Sequence, residues 1–295
     1  MKSILISSII AINLYYVIIL ADDLWRHRHQ VMTEPANNYW SPITSAVIYF
    51  FSTLGISDFA LSTAIYHKTK WVSLKKLPGT LNTQCVIPTG VMAIIMISNV
   101  KVGLKTLIIC VACQTLGAYL GTKFVTRLPQ KIIKNFIIAG LLIACGFILA
   151  GKLNLIVTNG TATQLSGSKL ILTGGLLFIF GALDDIGIGC YAPTMATIYA
   201  VGMNPIAAFP IMMCSSTFSL AISGVQFIKL DDYSRKLTLF SVAGVLGVII
   251  AAFIFKHLAV SGIEWLVIII LIYSAFSLLH SSNAQNKKRP TNLRR

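Results

Sequence analysis

Apolar runs of membrane-crossing length, separated by short polar pieces, dominate this chain from its first residues onward. A hydrocarbon core about 30 Å thick takes roughly twenty apolar residues in a helix that rises about 1.5 Å per residue. On that measure nine segments qualify: 3–21, 42–66, 81–98, 103–122, 132–151, 169–199, 206–228, 237–255 and 263–280. The first follows Lys2 and ends at Ala21 like a secretory leader. Ile19, however, stands where a cleavage site wants a small residue, and Asp22 and Asp23 follow directly, so the segment is read as a retained anchoring helix.

Two segments overrun a simple span. Residues 42–66 would be about 37 Å long as one helix, and 169–199 longer still. Both carry glycine and acids in mid-run, as Gly55-Ile56-Ser57-Asp58 and as Asp184-Asp185-Ile186-Gly187-Ile188-Gly189. Glycine weakens a helix interior, and backbone freed from helical bonding is tolerated at membrane depth only where protein or a watery cavity satisfies it. Both segments are therefore predicted to be interrupted helices.

The chain also matches itself. An ungapped shift of 132 lays Gly55 on Gly187, Ile56 on Ile188, Ala60 on Ala192, Ala64 on Ala196 and Pro78 on Pro210. The same shift superposes the two over-long segments and the spans after them. The predicted fold is an all-α integral membrane protein of eight to nine transmembrane helices, built as two related four-helix halves with broken helices plus an extra amino-terminal helix. Its parts are an anchor and loop (1–41), a first membrane repeat (42–151), a connecting loop (152–168), a second repeat (169–282) and a basic tail (283–295). Corresponding glycine-interrupted segments in two halves point to the binding site of a secondary transporter.

Composition agrees, with 56% hydrophobic and only 11% charged residues against about a quarter charged in soluble domains. The net charge of +15 comes from 24 bases and 9 acids gathered between apolar runs. That arrangement offers no continuous basic face for nucleic acid and suits headgroup contact instead. The lipid bilayer is the expected partner, the cell membrane the expected location, and the tail favours a cytoplasmic carboxyl terminus. All six cysteines lie in apolar segments, which argues against a disulfide framework. Cys110 and Cys113 form a C-x-x-C inside an apolar helix and read as small hydrophobes. With no Walker A or H-E-x-x-H pattern, no cofactor or metal is expected and the chain is not read as an enzyme.

The run Gly187-Ile188-Gly189-Cys190-Tyr191-Ala192-Pro193, followed by Gly202-Met203-Asn204-Pro205-Ile206-Ala207-Ala208 and Cys214-Ser215-Ser216-Thr217, resembles the TauE/SafE sulfite-exporter family. The first half matches less well: Gly55-Ile56-Ser57-Asp58 has fewer glycines, and Lys75-Lys76-Leu77-Pro78-Gly79-Thr80 carries the loop-to-threonine part. The resemblance covers about residues 42–280 and implies transport of sulfite, sulfonates or related small organic anions.

An anion in a low-dielectric site needs fixed positive ends and hydrogen-bond donors, which helix amino termini and exposed backbone N–H groups supply. Gly55, Ser57, Gly187 and Gly189 are candidates for close backbone approach, with Thr80, Asn82, Thr83, Ser215, Ser216 and Thr217 as side-chain donors. Small residues also line ordinary helix interfaces, so close packing is the competing reading. Asp58, Asp184 and Asp185 are the acids in the middle of apolar runs, and such carboxylates are costly enough to suggest function, here proton coupling. Capping of a helix break is the alternative for each. Two other classes stay open: an intramembrane enzyme using Asp184 and Asp185, and a non-transporting membrane subunit. A homodimer is compatible with all three.

Overall fold

The computed structural model describes residues 2–99, 101–125, 161–187 and 189–254, with isolated positions between 127 and 150. The expected segment 263–280, the basic tail and most of 132–151 lie outside the described residues. Every regular element described is helical, and the one β-type contact is an isolated bridge between Ala162 and Met203. The helices are α1 (Lys2–Arg26), α2 (Arg28–Val31), α3 (Trp40–Thr53), α4 (Asp58–Thr69), α5 (Leu77–Asn99), α6 (Leu104–Val125), α7 (Gly167–Asp184), α8 (Tyr191–Ala200), α9 (Ala208–Lys229), α10 (Arg235–Phe240) and α11 (Gly244–Ile254). A 3₁₀ turn at Ser241–Ala243 joins the last two. Six stretches among the described residues are long and apolar enough to cross a bilayer: α1, α5, α6, α7, α9 and the Arg235–Ile254 run.

The distribution of side chains is that of a protein dissolved in lipid. Ile18, Ile171, Leu246 and Phe253 are exposed, whereas Ser62, Thr63, Asp185, Thr194, Ser215 and Ser216 are buried. Polar groups have moved inward, away from hydrocarbon, and apolar ones outward, where hydrocarbon is the solvent.

α5 and α9 form the central pair. Thr217 Oγ1 on α9 donates to the Thr89 carbonyl on α5 at 3.2 Å, beside Pro88, which interrupts the α5 bonding ladder. α1 lies across both, Tyr16 donating to the Thr83 carbonyl at 2.7 Å and its ring filling the notch left by Gly224. Small residues bring the outer helices to backbone contact. A methyl group on Gly117 of α6 would strike the Phe178 carbonyl of α7, and one on Gly247 of α11 would strike the Ala46 carbonyl of α3.

The two over-long segments do break, and each folds back on itself. In the second, Lys169 Nζ at the start of α7 donates to the carbonyl of Val201 just past the end of α8, at 2.9 Å. Asn204 N, farther along, reaches the Ala162 carbonyl at 2.8 Å. Both ends of the α7–α8 hairpin therefore sit at one rim of the bundle, the Asn204 rim. The first hairpin opens the other way. α3 runs alongside α5, with Tyr49 meeting Cys85 and Ser52 meeting Met92, while α4 returns so that Tyr66 bonds Gln84. Its ends lie at the opposite, Arg235 rim, where α5 and α10 begin and Thr80 Oγ1 accepts Ser234 N at 2.9 Å.

The Arg235 rim is sealed by an ionic seam. Asp23 at the end of α1 accepts Arg235 Nε at 2.7 Å, Arg235 Nη2 at 3.2 Å and the Tyr233 hydroxyl at 2.5 Å. Burial, followed by the bond to Asp23, pushes the Tyr233 phenol up, which keeps it a donor. The Glu34 carboxylate accepts the Arg235 and Lys236 amides at 3.1 and 3.2 Å and the Ser234 hydroxyl, while Lys236 Nζ bonds the Met32 and Glu34 carbonyls. Residues 22–41, which read from sequence as a plain polar connection, are thus part of a built interface.

Candidate functional site

The turn of each hairpin pivots on a glycine with positive φ, +93° at Gly55 and +97° at Gly187, a region that L side chains rarely adopt. A side chain at each turn caps the returning helix. Ser57 Oγ accepts Ala60 N at 3.4 Å at the start of α4, and Asp184 Oδ1 accepts Cys190 N at 3.2 Å at the start of α8. The turns meet in the interior, since a Cβ on Gly189 would collide with Ser57 Oγ. Two helix amino termini, each carrying partial positive charge and orphan N–H groups, therefore come together from opposite rims.

Polar side chains from seven helices gather there. Asp58 Oδ1 accepts Phe59 N at 3.0 Å, and its side chain faces Cys85 and Ser52. Cys85 Sγ also receives the Tyr49 hydroxyl at 3.1 Å. Asp58 and Asp184 are close enough to interact electrostatically. On the far side Cys190 Sγ lies 3.3 Å from Ser216 Oγ, and Gln114 Nε2 lies 3.4 Å from that sulfur and 3.3 Å from both Ser216 and Ser219 Oγ. Tyr191 lies beside Thr89.

The sequence candidates divide between this centre and its supports. Gly55, Ser57, Asp58, Asp184, Gly187, Gly189 and Ser216 belong to the turns or to the cluster. Asn82 joins it at one edge, its Nδ2 3.4 Å from the Asp184 carbonyl and its Oδ1 buried without a partner among the described residues. Ser215 is buried on α9, its hydroxyl without a partner among the described residues. Thr217 spends its hydroxyl on the Met213 and Thr89 carbonyls and braces α9 against α5. Thr80 and Thr83 lie away from the centre. Thr80 binds Ser234 N, and Thr83 meets Thr238 Oγ1 at 2.7 Å, so both brace α10. Asp185 diverges from Asp184: Thr122 Oγ1 donates to its Oδ2 at 3.0 Å, Gly121 makes room for it, and Ser223 lies beside it. The two adjacent carboxylates thus face different neighbours.

Sequence reading passed over Gln114 and Tyr191 as members of the centre and took Cys85, which lies near the candidate clusters in sequence, for simple packing. Gln114 carried a usable signal as a buried amide within an apolar run; the other two look like ordinary core residues until the hairpins bring them inward. Charge in the centre is one-sided. Among the described residues the buried bases are Arg235 and Lys236, both committed to the ionic seam at the rim. A concave region of about 680 Å³ lies elsewhere, an apolar groove of α1, α6 and α9 lined by Leu5, Ile108 and Phe218, with no carboxylate or thiol in it. The buried polar groups converge at the hairpin turns and not in that groove. No family model, curated protein or solved structure matches the chain.

Proposed function

We propose that the protein is a secondary transporter of a small anion, of the sulfite, sulfonate or small organic acid class suggested by its likeness to the TauE/SafE exporters, and that it works in a cell membrane with protons as the coupling ion. The observation that carries this reading is the meeting of two oppositely entering helical hairpins, glycine turn to glycine turn, at a buried polar centre. A site reached by one hairpin from each rim suits alternating exposure to the two sides of a membrane.

The proposal includes a duplication with inverted topology. The 132-residue offset lays Gly55 on Gly187, and both hold φ near +95°. It lays α5 over residues 209–231, where α9 runs, and α4 over 190–201, where α8 runs. Ala46, whose carbonyl meets Gly247, falls on Phe178, whose carbonyl meets Gly117. Because the first hairpin opens to the Arg235 rim and the second to the Asn204 rim, the halves are related by an axis in the membrane plane.

Asp58, Asp184 and Asp185 are the proton-carrying groups of this scheme. A carboxylate near the anion binds its proton more tightly when the anion is present, which links the two fluxes. Asp58 and Asp184 flank the centre directly, and Asp185 takes the more remote position against α6. The test is counterflow: purified protein in liposomes preloaded with unlabelled sulfite, sulfonate or a small carboxylate, with labelled solute outside. A carrier gives transient accumulation of label above equilibrium. Absence of accumulation for every solute, in correctly inserted protein, would leave the enzyme or subunit readings in its place.

A further inference from the structure

The two hairpins share a plan but close differently. In the first, Gln84 on α5 fills the space against α4, Nε2 donating to Ser62 Oγ at 2.8 Å and Oε1 accepting the Tyr66 hydroxyl at 2.6 Å. The 132-residue offset places Thr194 on Ser62 and Ser216 on Gln84. Ser216 lacks the amide with which Gln84 reaches its neighbour, and Thr194 Oγ1, fully buried on α8, has no hydrogen-bond partner among the described residues. Gln114 enters from α6 on the third side. Its Nε2 is occupied with Cys190, Ser216 and Ser219, and its Oε1 is buried and unpartnered. Exchange of the amide atoms would leave the nitrogen in that position instead, a donor rather than an acceptor.

Helix periodicity brings a third group to the same place. Ser215 lies one turn before Ser219 on the same face of α9, as Thr194 lies one turn after Cys190 on α8. Cys190 and Ser219 both touch the Gln114 amide, so their faces look toward it. Ser215 Oγ is likewise buried and without a partner among the described residues. Buried polar atoms are ordinarily paired, so three orphans on three facing helices mark a place built for a polar guest.

The charges around that place limit the guest. Asp184 lies next to it through Cys190 N, with Asp58 beyond. The bases on the surrounding helices are at their ends: Lys123 against Tyr119, Lys169 against the Val201 carbonyl, Lys105 near the start of α6 and Lys229 at the end of α9. Positive potential comes from the amino terminus of α8, equivalent to about half a charge.

We propose that Gln114, Thr194 and Ser215 bound a solute seat between α6, α8 and α9, and that this seat takes monovalent weak-acid oxyanions, such as hydrogensulfite or a carboxylate, in preference to dianions such as sulfate. This seat rests on the transport reading and gives it a substrate class. Hydroxyl and amide groups satisfy a single delocalised charge, whereas a second charge would face two carboxylates with no cation beside it among the described residues.

The test is binding of sulfite, acetate and sulfate to the purified full chain in mildly acidic buffer, where sulfite is mostly the monoanion, read by calorimetry beside liposome flux. The seat predicts that sulfite or acetate binds and sulfate does not compete. Gln114→Leu and Thr194→Val should each weaken the monoanion about tenfold, the worth of one hydrogen bond, while Thr194→Ser retains affinity. Thr194→Val conserves shape and carries the test alone if Gln114→Leu fails to fold. Sulfate binding as tightly as the monoanion would overturn the substrate class. Sulfite flux with unchanged affinity in folded Thr194→Val would overturn the seat and leave transport standing; neither binding nor flux in the natural chain would overturn both.

Discussion

Glycine at two positions sets the geometry on which everything else depends. Replacing Gly187, at φ +97°, by Ala forces a side chain into a disfavoured region and should cost about 1–3 kcal/mol of stability, with Asn less costly because it tolerates left-handed backbone better. Thermal unfolding of the purified variants in detergent measures this, and equal melting for Gly187→Ala and the natural chain would contradict it. Gly189→Ala acts differently, through the Ser57 hydroxyl it would strike. Its defect should shrink in the Gly189→Ala, Ser57→Ala double variant, a non-additivity read by the same melts. The turn residues were legible because aspartate beside glycine, in the middle of an apolar run too long for one span, is costly at membrane depth and fits a broken helix better than a continuous one. Gln114 and Thr194 were not singled out, since one amide or hydroxyl in a membrane helix usually bonds a neighbouring helix or its own backbone. What sets them apart is visible only in three dimensions: Gln114 Oε1 and Thr194 Oγ1 are buried without a partner among the described residues.

Element boundaries followed the hydrophobic pattern closely: 81–98 became Leu77–Asn99, 103–122 became Leu104–Val125, and 206–228 became Ala208–Lys229. Direction was not legible. A helix interrupted in passage and a helix that turns back have the same composition, and the difference rests on ties such as Lys169 to the Val201 carbonyl. The segment 237–255 likewise hid a 3₁₀ turn between α10 and α11. Nor does any local pattern pair Asp23 with Arg235, which stand far apart in the chain and meet only because α1 crosses the start of α10. Their side chains are 13% and 5% exposed, so removing one partner leaves the other charge poorly solvated, with Arg235 held by Asp231 at 2.9 Å and Asp23 by the Tyr233 hydroxyl. Asp23→Asn and Arg235→Gln should each destabilise by about 3 kcal/mol, and the double variant by less than their sum. Denaturation of the four proteins tests the coupling, and strict additivity would show that the seam does not act as a unit.

At the scale of the whole molecule, opposed hairpins predict opposed loops. Ser73, between α4 and α5, and Thr161, before α7, are exposed at the two rims. Cysteines placed at Ser73 and Thr161 should react with a membrane-impermeant thiol reagent from opposite sides of oriented vesicles; labelling of both from one side would contradict the proposed inversion. The proposed duplication rests on the 132-residue offset, which is read from sequence alone, whereas the proposed inversion rests on the hairpins folding back and so needed three dimensions. Function follows from this arrangement only if the central carboxylates carry protons with the anion. The most direct measurement is uptake of labelled sulfite into liposomes under an imposed pH gradient, for the natural chain and for Asp184→Asn. The account predicts accumulation driven by the gradient in the first and loss of that driving, with or without loss of passive exchange, in the second. Accumulation that ignores the pH gradient, or that Asp184→Asn leaves fully coupled, would contradict it.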